Sequence, residues 1–173
     1  MKKLITAHTI ILLFFGFSLL SAQSNKGFQK EKTEISTMLD AFNVAAAKAD
    51  YNTYFDFFAD QSTFIGTDAT EVWNKKEFMV WAKPHFDKKK TWNFKALKRN
   101  IYFSNDGKLA WFDELLDTQM KICRGSGVVE KINGTWKVKQ YVLSMTIPND
   151  VVDKVVAEKT ALEDILIQEL KTK

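Results

Sequence analysis

The sequence predicts an α+β fold, in which an antiparallel sheet curves round N-terminal helices and is followed by a C-terminal helix. Three observations predict it. Apolar residues recur every three or four positions from Ile35 to Ala49 and again from Val152 to Leu170, the period of an amphipathic helix. Between Trp92 and Ile147, four long runs rich in β-branched and aromatic residues alternate with turn-forming clusters. Helices segregated beside an antiparallel sheet, instead of alternating with strands, define the α+β class.

The elements follow in order. Met1 to Ala22 reads as a secretory signal: Lys2 and Lys3 form the charged start, Ile10 to Leu20 the apolar stretch, and Ser21-Ala22 the small-residue end. Its strongly apolar part is shorter than the roughly 20 residues of a spanning helix. The expectation is export to the periplasm or the medium, with no stable membrane insertion after cleavage. Residues 23–30 are polar and expected to be flexible. The main domain is expected over residues 31–148, and an amphipathic helix over 149–173.

Within the domain, the first helix is expected from about Glu31, with Ile35, Met38, Leu39, Phe42, Ala46 and Ala49 along one side. Asp50 is a cap-type residue and starts a short second helix from Tyr51 to Phe58. Ser62 to Gly66 reads as a short strand. Asn74 followed by Glu77 has the spacing of a capping box. It opens a third helix in which Phe78, Trp81, Ala82, His85 and Phe86 share a face and Pro84 is expected to kink or end the regular turn.

The strands Trp92–Phe103 and Leu109–Gln119 are joined by the turn formers Ser104 to Lys108. Arg124–Ile132 and Thr135–Ile147 are joined by Asn133-Gly134, a two-residue hairpin signal. Gly125 and Gly127 inside one strand point to a bulge or bend. Pro148 stops the last strand, and Asn149 or Asp150 is expected to cap the final helix.

The composition excludes several classes. The chain has 173 residues, 46% hydrophobic and 27% charged, which is ordinary for a folded domain and unlike a disordered chain. The formal charge of +4 includes Lys2 and Lys3, and no concentrated basic face remains to argue for nucleic acid. Beyond the leader, His85 is the sole histidine and Cys123 the sole cysteine. A zinc site built from several such ligands is therefore excluded, as is an internal disulfide, and no metal or cofactor is expected. Aromatics reach 13%, with 14 Phe and 5 Trp, so the interior or a cavity must be rich in rings.

Several stretches resemble the SnoaL-like branch of the nuclear transport factor 2-like superfamily: Phe64-Ile65-Gly66-Thr67-Asp68, Trp73 through Phe86, Ala110-Trp111-Phe112-Asp113-Glu114-Leu115-Leu116-Asp117, Cys123-Arg124-Gly125-Ser126-Gly127, and Gly134-Thr135-Trp136 through Leu143-Ser144. The resemblance implies a cone-shaped curved sheet folded over a long first helix, a pocket at the open end, and frequent dimers. Members include polyketide cyclases, ketosteroid isomerases, dehydratases and noncatalytic binding domains, so the fold does not settle the activity. Related sequences often carry a cavity His or Asn near the end of the last strand, where this chain has Val142.

The candidate ligand-binding residues are Phe64, Trp81, His85, Trp111, Asp113, Glu114, Gln140 and Val142. Strand alternation sends Asp113 and Glu114 to opposite faces, so only one of them enters a pocket. A carboxylate among Trp111, Phe112 and Leu115 would have a raised pKa suited to proton transfer, whereas pairing with Arg124, Lys98 or Arg99 would make it structural. A strict two-residue turn at Asn133-Gly134 sets Val129 opposite Val138, Gly127 opposite Gln140 and Gly125 opposite Val142. Those positions, with Trp136 and Ser144, would share one face. Val128, Tyr141, Leu143 and Met145 would share the other with Lys137 and Lys139. Two apolar faces imply that helices cover one and a second subunit the other, a homodimer through the outer face. The expected function is binding of a small, partly apolar ligand without turnover. The alternatives are an acid–base isomerase, cyclase or dehydratase using Asp113 or Glu114 with His85 or Tyr141, and a partner-binding module acting through the C-terminal helix.

Overall fold

In the computed structural model, which describes residues 27–172, helix α1 spans Gln29–Ala47 and buries Ile35, Leu39, Phe42 and Ala46 along one stripe. The expected leader lies outside the described residues. Helix α1 starts two residues earlier than its apolar spacing suggests, inside the polar segment expected to be flexible. It ends in a Schellman turn. The Ala49 N–H donates to the Ala46 carbonyl and the Asp50 N–H to the Ala45 carbonyl, with Ala49 in the left-handed region at φ 53°. Asp50 at once caps helix α2 (Tyr51–Asp56) by accepting from the Thr53 N–H at 3.2 Å.

Strand β1 (Phe58–Ile65) begins four residues before its expected start, and the short strand β2 (Val72–Asn74) folds back on it. Helix α3 (Lys75–Asp87) carries the capping box. The Asn74 side chain accepts from the Glu77 N–H at 3.1 Å, and Glu77 accepts from the Asn74 N–H at 3.0 Å. Pro84 neither ends nor shortens this helix, which continues to Asp87. Phe78, Ala82 and Phe86 are buried at four-residue spacing, while Trp81 and His85 of the same expected face are exposed on its flank.

Four long strands complete the sheet: β3 (Lys95–Phe103), β4 (Leu109–Thr118), β5 (Lys121–Ile132) and β6 (Thr135–Met145). The six strands lie in the order β2-β1-β6-β5-β4-β3. All neighbours are antiparallel except β1 and β6, which run parallel, so the sheet is mixed where an antiparallel one was expected. Parallel pairing between strands so far apart in sequence comes from tertiary closure and has no local signal.

The Asn133-Gly134 turn forms as expected, with Ile132 paired to Thr135 and positive φ at both turn residues (50° and 83°). The expected register holds only as far as Val129 opposite Val138. There β6 bulges: Val128 pairs with Gln140, Gly127 with Tyr141, and Gly125 with Leu143. One extra residue reverses the alternation. The buried positions of β6 are therefore Trp136 and Val138 before the bulge and Tyr141 and Leu143 after it. The expected assignment of faces is corrected accordingly, and Gln140, Val142 and Ser144 stand on the outer side. The bulge sits on β6 at Lys139, across from Val128 and Val129 and next to Gly127. A Cβ on Gly127 would lie 2.2 Å from the Gln140 carbonyl oxygen, so glycine is what lets the bulged backbone approach β5.

Pro148 leads into a 3₁₀ turn at Asn149–Val151, where its carbonyl accepts from the Val151 N–H at 3.1 Å. Helix α4 (Val152–Lys171) follows without a side-chain cap, so neither Asn149 nor Asp150 has the expected capping role. None of its residues is buried. No helix among the described residues is long and apolar enough to cross a membrane.

Candidate functional site

Rings dominate the space between α3, the start of β3 and the end of β6. Helix α3 projects Phe78 inward and holds Trp81 on its flank. Strand β1 contributes Phe64, whose ring stacks on Phe78 at a centroid distance of 4.0 Å and 11° between planes. Strand β2 adds Trp73, stacked on Trp81 at 4.8 Å. Trp92 and Phe94, in the irregular approach to β3, close the remaining side. Together with Met120 and Leu143 these rings bound a cavity of about 160 Å³. Trp81, Thr67 and Gln119 at its rim are exposed, so it opens to solvent.

The polar groups on this cavity are few: Thr67, Gln119 and Glu71, with Gly66 between them. Glu71 Oε2 accepts from the Asp68 N–H at 3.2 Å, and the Glu71 carbonyl accepts from the Gly66 N–H at 2.9 Å. Asp68 in the same loop accepts from the Thr70 N–H and hydroxyl. These bonds hold its carboxyl below the ordinary carboxylate range and make it the loop cap that its position suggests.

A second constellation lies deeper. Glu114 points inward from β4 and is 1% exposed. Its Oε2 accepts from Arg99 Nε at 2.8 Å, and its Oε1 from the Tyr141 hydroxyl at 3.0 Å. Arg99 Nη2 is 2.7 Å from the same Oε2 but is not aimed at it as a hydrogen bond, so that contact is ionic. Arg99 Nη1 donates to the Ser36 carbonyl, the Ser36 hydroxyl and Asp40 Oδ1, each at 2.9 Å, tying β3 to α1. Burial, reinforced by the adjacent Glu114 carboxylate, pushes the Tyr141 hydroxyl well above its ordinary pKa. The glycine at 125 makes room for this network, since a Cβ there would meet the Tyr141 hydroxyl at 2.5 Å. Both Glu114 oxygens are occupied by protein donors, and neither Glu114 nor Tyr141 lines the cavity. The arrangement fits an internal clamp between sheet and helix. It does not place an acid and a donor on one ligand atom, as acid–base catalysis requires.

The other sequence-derived candidates scatter. Phe64 and Trp81 line the cavity. His85 stands outside it, exposed, with its ring 4.9 Å from that of Trp81. Trp111 is on the outer sheet face, half exposed and stacked on Tyr102 at 6.0 Å. Asp113 is also outside, accepting from Asn100 at 3.1 Å and lying 3.6 Å from Arg124. Gln140 and Val142 face outward because of the bulge. Periodicity does not single out Trp73, Trp92, Phe94 or Glu71, which reach the cavity from a three-residue strand and two irregular segments. Leu143 follows from the register once the bulge is known. Among the described residues, no group of His, Cys, Asp and Glu is arranged to hold a metal ion.

The SnoaL-like domain family matches residues 35–148, most of the described chain. The chain belongs to the SnoaL-like family. No curated protein matches the sequence. Among solved structures, this SnoaL-like chain is similar to a candidate dehydratase of the NTF2-like family from Streptomyces avermitilis. The TM-score is 0.59 at 12% identity, with 69% of this chain and 98% of that one covered. A cystatin-like domain of unknown function from Nostoc punctiforme gives 0.57 at 16% identity, covering 84% and 99%. An NTF2-like protein of unknown function from Pseudomonas putida gives 0.56 at 14% identity, covering 70% and 91%. At these identities the likeness establishes the NTF2-like fold of the SnoaL-like chain alone.

Proposed function

We propose that this SnoaL-like protein is exported and binds a small, partly apolar ligand in the tryptophan-lined cavity without turning it over. The observation that carries the proposal is the cavity itself, about 160 Å³ walled by rings, while the buried Glu114 carboxylate lies outside it with both oxygens held by protein donors. A dry apolar cavity of about 150 Å³ is large enough for a benzene-sized molecule. A ligand of that size gains roughly 4–8 kcal/mol, a millimolar to micromolar dissociation constant. The export proposal rests on the Lys2-Lys3 start and the apolar run that follows, and mass analysis of the mature protein is expected to show cleavage near Ala22.

Titration with benzyl alcohol, followed by tryptophan fluorescence, tests the cavity. Saturable quenching is expected, and Leu143→Phe should weaken the affinity by narrowing the space. An affinity unchanged by Leu143→Phe in a variant shown to be folded by thermal melting would place binding elsewhere and end the proposal.

The outer sheet face carries a second reading. Trp111, Tyr102 and Leu109 are exposed there. Apolar surface of this extent is typical of a protein–protein contact, so we propose a homodimer through that face. Light scattering at micromolar concentration is expected to give twice the chain mass, and Trp111→Glu to give the monomer.

A further inference from the structure

We propose that the cavity selects a small organic cation, an alkylammonium with a compact apolar head, over neutral or anionic molecules of the same shape. This deepens the cavity-binding reading and rests on it. The inference begins with the lining. Trp73 and Trp81 stack with centroids 4.8 Å apart and planes turned by 29°, and Trp92 stands tilted beside Trp81 at 6.3 Å and 33°, so a cation would meet the faces that this stack leaves uncovered. Indole faces are the strongest attractors of a cation among protein side chains, and the attraction grows as water is excluded.

Charge supplies the direction. Among the described residues that line this cavity, Glu71 is the one charged side chain, and none is Lys or Arg. Its Oε2 is anchored on the Asp68 N–H, and its Oε1 has no hydrogen-bond partner among the described residues. Gly66 makes room for the carboxylate: a Cβ at that position would lie 2.1 Å from Glu71 Oε2. A neutral occupant would withdraw water from this carboxylate and return nothing, and an anion would be repelled. A cation repays the desolvation through both the acid and the ring faces. The size limits the head to a few carbons round one nitrogen, since about 160 Å³ is close to the space that admits benzene.

The test uses the full chain and three probes in tryptophan fluorescence titrations at constant ionic strength: choline, its neutral isostere 3,3-dimethyl-1-butanol, and benzyl alcohol. Choline is expected to bind about tenfold more tightly than the isostere. Glu71→Gln keeps an acceptor for Asp68 and should shrink that preference to about threefold or less, with the thermal midpoint unchanged. Equal binding of choline and the isostere, or binding of benzyl alcohol alone, would overturn the cation inference and leave the cavity reading standing. No saturable binding of any of the three would overturn both. A choline preference untouched by Glu71→Gln would also overturn the assignment.

Discussion

Replacing Glu114 by leucine removes one member of an ion pair whose side chains are 0% and 7% exposed, and strands the guanidinium of Arg99 in the interior. Breaking a buried pair in this way costs about 3–5 kcal/mol, chiefly through the charge left behind. Arg99 would keep Ser36 and the more exposed Asp40, which places the loss near the lower end, about 3 kcal/mol. The Tyr141 hydroxyl would lose its acceptor, adding about 1 kcal/mol. With a urea slope of about 2 kcal/mol/M, the midpoint should fall by roughly 1.5–2 M. The triple variant Glu114→Leu, Arg99→Met, Tyr141→Phe removes every polar member at once and should recover most of that loss, because well-packed apolar replacements of buried pairs are often neutral. Equilibrium urea unfolding followed by fluorescence measures both. A Glu114→Leu midpoint within about 0.5 M of the natural chain, or a triple variant less stable than the single one, would refute the clamp.

Three other outcomes follow from the same packing. Gly127→Ala should destabilise the domain by about 2–3 kcal/mol in urea unfolding, because the added methyl meets the Gln140 carbonyl, a backbone atom that cannot step aside. Stability should fall as pH rises above about 10, since the unfolded chain releases the phenolic protons of Tyr54 and Tyr141 near their ordinary value of 10.0 while burial holds them in the folded chain. That stability is complete below the unfolded pKa and is lost above it, so urea midpoints from pH 8 to 11 should drop less steeply for Tyr141→Phe. Removing residues 149–173 should leave the unfolding free energy within about 0.5 kcal/mol, because no α4 residue is buried. A larger drop would show that the helix supports the domain.

The Glu114 clamp also shows where sequence reading reaches its limit. Alternation along β4 says that Asp113 and Glu114 face opposite ways, and arginine at 99 is a visible partner, yet nothing local says which acid turns inward. The structure resolves it through pairing. Asp113 sits outside near Arg124, and Glu114 inside on Arg99. Tyr141 reaches Glu114 only because the β6 bulge moves it to the inner face, which also carries Gln140 and Val142 away from any cavity.

Local chemistry by itself determined the helices, their caps at Asp50 and Asn74, the Asn133-Gly134 turn and the α+β class. These depend on bonds and periodicities spanning a few residues, which any stretch of chain carries with it. The parallel pairing of β1 with β6, the bulge opposite Val128 and Val129, the inward turn of Glu114 and the gathering of Trp73, Trp81 and Trp92 were decided only by tertiary structure. Each depends on close approach between segments distant in sequence, where the space left by one residue, such as the missing side chain of Gly127, sets the register of another strand.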